Sequence, residues 1–492
     1  MGVIKKQSIS GSIYSYIGVG LGFIVSGILL PRLLKTEEVG LLRLLVSYST
    51  LMAQFAVLGF NSVTIKLFPL FRDEKKKHHG FLGLALLISL VGFLITVLVY
   101  IGMHNYVIEN AKEKSTLFIN YYYYVIPMVF FTMVFGIFDT YYRVLYNATK
   151  GIVYKEIVQR LLIIISILLY YFKLVDFKTL VLLYTIAIIS PALFLLGALI
   201  KDKQLFLKPE FGFIDKKMTR QMISVALFGI VASYSGVIVM NTDLIMVSYY
   251  LGLSLTGIYT ITFFFGSLIL IPLRTMGKIG SVVVSEAWQK NDRNTIIDIY
   301  HKSSLTLSVI GLLLLIGIWG NVDNIFRIIG PNYELGKYVI LFIGIGNLFD
   351  VALGTSSQII VNSPKYKWQS YLLLFFVILV ILTNIIFIPI YGIVGAAIAS
   401  MISKFLYNFS KFLFLYIKYK FQPFTTKHIY LLILGIGVWF VSTLIPAFDN
   451  FIIDIILRSL IISILFVTGI YFLRISDDIN TVIDKTLLRV FK

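Results

Sequence analysis

The chain contains no cysteine, so it has no disulfide framework, no thiolate nucleophile and no cysteine metal site. Only 14% of its 492 residues are charged, too few to coat a soluble globule of that length. Acidic residues are the scarcer sign, 24 against 43 Lys plus Arg, which leaves a formal charge of +19. The basic residues lie in short segments between apolar runs and form no continuous face, which argues against a nucleic-acid partner. The five histidines, His78, His79, His104, His301 and His428, fall in expected loops without the i, i+4 spacing of a zinc motif, so no metal site is expected.

What the chain has instead is apolar length. Hydrophobic residues make up 58% of it and its mean hydropathy is +0.90. About fourteen stretches have the roughly 17–25 apolar residues that a helix needs to cross a bilayer. They run at 8–33, 40–66, 81–103, 118–145, 156–172, 178–200, 221–249, 255–276, 301–320, 336–360, 370–388, 391–416, 429–446 and 452–473. An all-α, polytopic membrane protein follows. With the N-terminus in the cytoplasm, roughly three quarters of the Lys and Arg fall on the cytoplasmic side, as the positive-inside bias requires. Both termini are then expected to be cytoplasmic.

The first apolar segment follows Lys5-Lys6 but lacks a small-residue cleavage pattern, so it reads as a retained helix. Its Gly18, Gly20, Gly22, Ser26 and Gly27 permit close helix approach. Residues 277–300 alternate apolar and charged as an interfacial helix would. The tail 474–492 carries a helical stripe of Ile479, Ile483, Leu487, Leu488 and Phe491, suited to lying along a leaflet.

A weak internal repeat runs through the apolar segments. A shift of 217 lays 26–45 over 243–262, so that Val39-Gly40-Leu41-Leu42 meets Thr256-Gly257-Ile258-Tyr259. A second correspondence, with a few residues inserted, places Phe138-Asp139 opposite Phe349-Asp350. The expected organisation is a six-helix lobe over 1–200, a linker at 201–220, a second six-helix lobe over 221–420, and an extra helix pair with an amphipathic tail over 421–492.

Three further segments carry a family resemblance. Ser10-Gly11-Ser12 opens into a glycine-rich helix, and Leu30-Pro31-Arg32-Leu33-Leu34 precedes Glu37-Glu38-Val39-Gly40. Asn384-Ile385-Ile386-Phe387-Ile388-Pro389-Ile390-Tyr391-Gly392 turns into Ile393-Val394-Gly395-Ala396-Ala397-Ile398-Ala399-Ser400, a small-residue helix. With these the chain resembles the polysaccharide transporters, or oligosaccharide flippases, of the multidrug/oligosaccharidyl-lipid/polysaccharide superfamily. The resemblance implies two six-helix lobes in a V. It also implies a function, moving undecaprenyl-diphosphate-linked oligosaccharide to the outer leaflet of the bacterial inner membrane for O-antigen, capsule or exopolysaccharide synthesis. The implied partners are the lipid-linked oligosaccharide, membrane lipids, and a glycan polymerase with other glycan-assembly proteins.

Charges inside the spans are the candidate site residues, because each costs several kcal/mol unless it meets water, a partner or cargo. Asp139 and Arg143, Glu156 and Arg160, and Asp454 and Arg458 are each four apart and can neutralise one another on one helix face. Lys404 has no acidic residue three or four positions away, and it is the first candidate for a cavity cation meeting diphosphate; its alternatives are snorkelling or a partner on another helix. Arg43 and Arg274, at opposite ends of their spans, are candidates to pass an anion across, or else interfacial anchors. Asp243 and Asp350 lack a same-helix cation and are candidates for a coupling proton or sodium ion, or for pairing across helices, with Lys404–Asp350 one such pair. Asn61, Asn241, Gln54 and Gln358 suit sugar hydroxyls or polar contacts between helices.

No catalytic residue and no cofactor is expected, since the outer loops are too short for a catalytic domain. The Gly330–Lys337 segment misses a phosphate-binding loop by one residue, and Tyr338 stands where Ser or Thr would hold magnesium. The main alternative functions are a multidrug or cation antiporter of the same superfamily, whose cavity would be acidic, and a flippase for the peptidoglycan precursor.

Overall fold

The computed structural model describes residues 2–111 and 115–490, and among these it contains helices and turns but no strand. The principal helices are α1 (Gly2–Phe23), α2 (Thr36–Ala56), α3 (Phe60–Phe71), α4 (Phe81–Gly102), α5 (Val125–Val144), α6 (Gln159–Tyr171), α7 (Phe177–Lys201) and α8 (Lys216–Leu251). They continue as α9 (Leu253–Ser267), α10 (Ile271–Gln289), α11 (Arg293–Gly320), α12 (Lys337–Ala352), α13 (Lys367–Tyr419), α14 (Thr426–Thr443), α15 (Phe451–Phe472) and α16 (Asp477–Val490). The expected stripe residue Phe491 lies outside the described residues.

Among the described residues, twelve helices are long and apolar enough to cross a membrane, against the fourteen expected, and the two differences have physical causes. First, α13 is 53 residues long, which at about 1.5 Å per residue greatly exceeds a hydrocarbon core of roughly 30 Å. It folds back on itself at Gly392, whose φ of 60° and ψ of −138° suit a residue without a Cβ. Phe376 stacks on Tyr407 at 4.4 Å, and Thr383 Oγ1 meets Ser403 Oγ at 2.8 Å, so the two arms are antiparallel about Tyr391-Gly392. Second, the run from Thr149 through a π turn at Tyr154–Val158 into α6 carries Lys150, Lys155, Glu156 and Arg160 in its first half, which lowers its hydropathy.

Other boundaries also moved. The expected span 40–66 breaks between α2 and α3 at Leu58 and Gly59, both at positive φ. Residues 277–289 do not form a separate interfacial helix but continue α10 from within the expected span 255–276. His301 lies inside α11 and His428 begins α14, whereas loops were expected there. His78 and His79 are buried in a short turn, not solvated.

The helices pack as two compact units, Met1–Thr260 and Ile261–Lys492. Within the first, helix α1 offers Gly18 and Gly22 to the π turn and α6: a Cβ on Gly18 would lie 2.7 Å from Glu156 Cβ, and Gly22 leaves the space that the Arg160 guanidinium fills. The expected ion pairs Asp139–Arg143, Glu156–Arg160 and Asp454–Arg458 all form. Helix α8 joins the first unit through backbone contacts of α2 with α9 and of Gly59 with Ala226. In the second unit, Val309, Leu312, Ile316, Leu431, Ile462 and Phe466 form a core that holds α14 and α15 against α11. The outward surfaces are apolar, up to Phe472 at 77% exposure, as expected where the solvent is hydrocarbon.

Candidate functional site

A cluster of buried polar groups lies in the second unit, where the second arm of α13 passes α12. Helix α12 presents Gly346 to that arm, and a Cβ there would come within 3.1 Å of Met401 Cα and 3.4 Å of Lys404 Cδ. The small residue lets the lysine stem lie along α12, and the stem carries the ammonium to the next turn. Lys404 Nζ donates to Asp350 Oδ2 at 3.0 Å and also to Asn347 Oδ1. Asn347, fully buried, donates to the Gly266 carbonyl at 2.9 Å, which fixes its oxygen toward the lysine.

Asp350 accepts a second bond at 2.7 Å from Asn408 Nδ2, one turn beyond Lys404. One further turn on, Lys411 is 4% exposed, its ammonium 4.6 Å from the centre of the Tyr407 ring and 3.4 Å from Ser357 Oγ. Lys404 pairs directly with Asp350, and Lys411, two turns along the same helix, adds a second cation within electrostatic reach of that carboxylate, a formal charge of +1 inside a helix bundle. A buried charge pair is tolerated when good geometry and additional hydrogen bonds offset desolvation, and Asn347 and Asn408 supply those bonds here. The excess cation is the chemically available feature, suited to an anion.

Lys404 and Asp350, both expected as site residues, are therefore brought together. Lys411, Asn347 and Asn408 were not singled out. The signal for two of them was present, since Lys404, Asn408 and Lys411 recur at i, i+4 and i+7 on one helix face.

The other second-unit candidates stand apart from this cluster. Arg274 is exposed on α10. Gln358 faces α10 at Gly277, where a Cβ would lie 2.8 Å from its Nε2, and it helps seat α10 rather than joining the lysines.

In the first unit, Arg43 on α2 donates through Nη2 to Ser26 Oγ, in the π turn Ile24–Leu29 that follows α1. Asp243, 5% exposed on α8, accepts from Tyr259 on α9 at 3.1 Å. Ser26 and Asp243 are equivalent under the 217-residue shift, so each repeat places a polar bridge between its first and second helices. Asn241 turns back to the Val237 carbonyl of its own helix at 2.9 Å. Asn61 approaches Gly136 on α5, and Gln54 is half-buried on α2.

Known proteins place this arrangement in context. The chain matches the family described as "Polysaccharide biosynthesis protein" over residues 4–284, more than half its length. It is similar to a solved structure of the lipid II flippase MurJ in an inward closed conformation, with a TM-score of 0.75 and 17% identity, covering 94% of this chain and 98% of that one. It is also similar to an inward-facing multidrug resistance MATE family transporter of the MOP superfamily, with a TM-score of 0.63 and 14% identity, covering 83% and 98%. A MOP superfamily transporter from Pyrococcus furiosus, whose binding pocket is described as of reverse polarity, matches at a TM-score of 0.52 and 12% identity, covering 84% and 96%. No curated protein sequence matches it. At these identities the solved structures establish a shared fold. The chain is a multi-pass membrane protein with a MOP-type transporter fold, and it belongs to the polysaccharide biosynthesis protein family.

Proposed function

We propose that this protein is a flippase that carries undecaprenyl-diphosphate-linked oligosaccharide repeat units from the inner to the outer leaflet of the bacterial cytoplasmic membrane by alternating access. Such a cargo is anionic at its diphosphate, and the observation that carries the reading is that Lys404, paired with Asp350, and the buried Lys411 share that one carboxylate among the described residues of the cluster. Incoming diphosphate competes with Asp350 for Lys404 while Asn408 keeps the freed carboxylate hydrogen-bonded. Asp350 and Asp243 are then the carboxylates available to a coupling proton or sodium ion. No covalent bond is made or broken. The lobes 1–200 and 221–420, joined by 201–220 and followed by 421–492, are part of the same proposal, as are cytoplasmic termini and the glycan polymerase as partner.

A second reading has one specific observation in its favour. The similarity to a lipid II flippase extends over 94% of the chain, and lipid II chemistry presents the same anionic, lipid-linked headgroup. A cation exporter is less well supported, because its cargo would meet a cationic excess in this cluster.

Lys404→Ala is expected to abolish surface glycan while leaving membrane insertion intact, and normal display in that variant would remove Lys404 from the mechanism. Reconstituted vesicles loaded with either lipid-linked oligosaccharide or lipid II separate the two flippase readings by which headgroup becomes accessible outside.

A further inference from the structure

The first unit contains a cavity of about 500 Å³ that the charged cluster does not explain, bounded by α4, α8, the start of α3 and the connection after α7. Leu84 and Ile88 form one wall and Met222, Ile223 and Leu227 the other. Thr219 is the one polar side chain among its described lining residues. The volume is in the usual range for a small-molecule site, here with nearly all-apolar walls.

The groove has two different ends. At one, α8 meets the break between α2 and α3 backbone to backbone: a Cβ on Gly59 would come within 2.9 Å of Ile230 N, and one on Gly229 within 3.1 Å of Gly59 O. No chain passes that crossing, so the groove is blind there. At the other end Phe211 and Ile214 of the connection line it.

This connection is held in place and does not hang free. Gly83 N donates to Phe206 O at 3.2 Å and Glu210 N to His79 O at 3.1 Å. The His79 ring stacks on Phe213 at 3.8 Å and pairs with Glu210 at 2.6 Å. Holding it places Lys77, His78, His79 and Gly80 all at positive φ, a region that the three non-glycine residues adopt only under strain.

Exposed cations stand at this open end: Lys208 on the connection and Lys216, Lys217 and Arg220 on the first turns of α8. None of the four is ion-paired with another described residue. The two nearby carboxylates are engaged, Asp215 capping α8 through Met218 N at 2.6 Å and Glu210 holding His79. A blind apolar slot with a cationic mouth fits an amphiphile with an anionic head. From Thr219 to Ile230 the slot follows twelve residues of α8, roughly 16 Å end to end, enough for most of an acyl chain.

We propose that this groove holds a resident anionic phospholipid, one acyl chain between α4 and α8 and its phosphate at the Lys216–Arg220 rim. The blind end makes it a fixed lipid and not cargo in transit, so the site stands independently of the transport reading.

The test is retention of added phosphatidylglycerol against phosphatidylcholine by the purified full chain, read by native mass spectrometry. Wild type should prefer phosphatidylglycerol by about tenfold or more, since each cation near a lipid surface contributes about 1 kcal/mol. Ile223→Trp, which fills the slot at a half-exposed position, should lose that binding. Phe228→Trp, an exposed change on α8 outside the lining, should keep it. Leu227→Trp repeats the blocking test should Ile223→Trp misfold. The combined Lys216→Gln, Lys217→Gln and Arg220→Gln variant should bind both lipids alike. Equal retention of the two lipids by wild type, or undiminished phosphatidylglycerol in both blocked variants, would overturn the proposal and leave only bulk membrane lipid.

Discussion

Gly40 and Gly257 meet reciprocally. A Cβ added to Gly40 would lie 3.1 Å from Gly257 N and collide with the Leu253 carbonyl, while one added to Gly257 would lie 3.1 Å from Gly40 N and collide with the Thr36 carbonyl. Thr36 and Leu253 are the first residues of α2 and α9, and both pairs are 217 apart. The same contact seen from both sides is what a local two-fold relation between repeated segments produces. Thr36 Oγ1 and Ser254 Oγ close the crossing at 2.8 Å.

Substitution at this crossing should be symmetric in effect. Because backbone atoms line both sides, neither helix can yield locally, and Gly40→Ala or Gly257→Ala should each destabilise by about 1–3 kcal/mol. Once the first Cβ has pushed the helices apart the second costs less, so the double variant should fall short of the sum. Thermal unfolding in detergent, followed by size-exclusion fluorescence, measures all three.

The Lys404–Asp350 pair makes a prediction that separates stability from transport. Removing one partner of a buried pair costs about 3–5 kcal/mol, because it strands the other charge. Lys404→Ala with Asp350→Asn should therefore be more stable than Asp350→Asn alone, which strands both lysines. It should still fail to display glycan, since the cation is gone. Recovery of both properties in the double variant would show the pair to be purely structural.

Asp243 and Tyr259 allow the proposed role of Asp243 as a coupling carboxylate to be tested with little change in packing. Tyr259→Phe removes the hydrogen bond to Asp243 and should cost about 1 kcal/mol with transport retained. Asp243→Asn keeps the shape but not the titratable group, so it should abolish the dependence of transport on the driving ion gradient. Vesicle uptake with and without an imposed proton or sodium gradient reads the difference.

Acid should loosen the first unit at Asp202, which lies just past α7. The hydrogen bond from the Lys150 ammonium, helped by Tyr142 at 2.9 Å, holds the Asp202 carboxyl below the usual carboxylate range. For a carboxyl depressed in the folded state, the stabilisation is full above its unfolded value of about 4 and disappears as pH falls through the lower folded value. The pair is partly solvated, so its contribution is about 1 kcal/mol or less. Asp202→Asn should lower the melting temperature slightly at pH 7 and leave it unchanged, relative to wild type, near pH 2.

Much of this architecture was legible locally. Apolar runs located the spans, because a helix crossing hydrocarbon must satisfy its own backbone and needs a fixed length of apolar residues. The pairs Asp139–Arg143, Glu156–Arg160 and Asp454–Arg458 were readable because i, i+4 neighbours meet in any helix. Pro389-Ile390-Tyr391-Gly392 announced the reversal inside α13. The break at Leu58-Gly59 was not announced, because one glycine in an apolar run suits a helix interior as well as a left-handed turn.

Composition and periodicity by themselves determined that this is an all-helical membrane protein and where most of its spanning helices run. Tertiary structure alone decided that Lys404 reaches Asp350 across 54 positions of chain, that Lys411 lies near them, and that the connection after α7 lies against 79–83 and borders an apolar cavity of about 500 Å³. The reason is range. Helix geometry fixes neighbours three and four positions away, whereas contacts between helices depend on where small residues such as Gly40, Gly257 and Gly346 let two backbones approach.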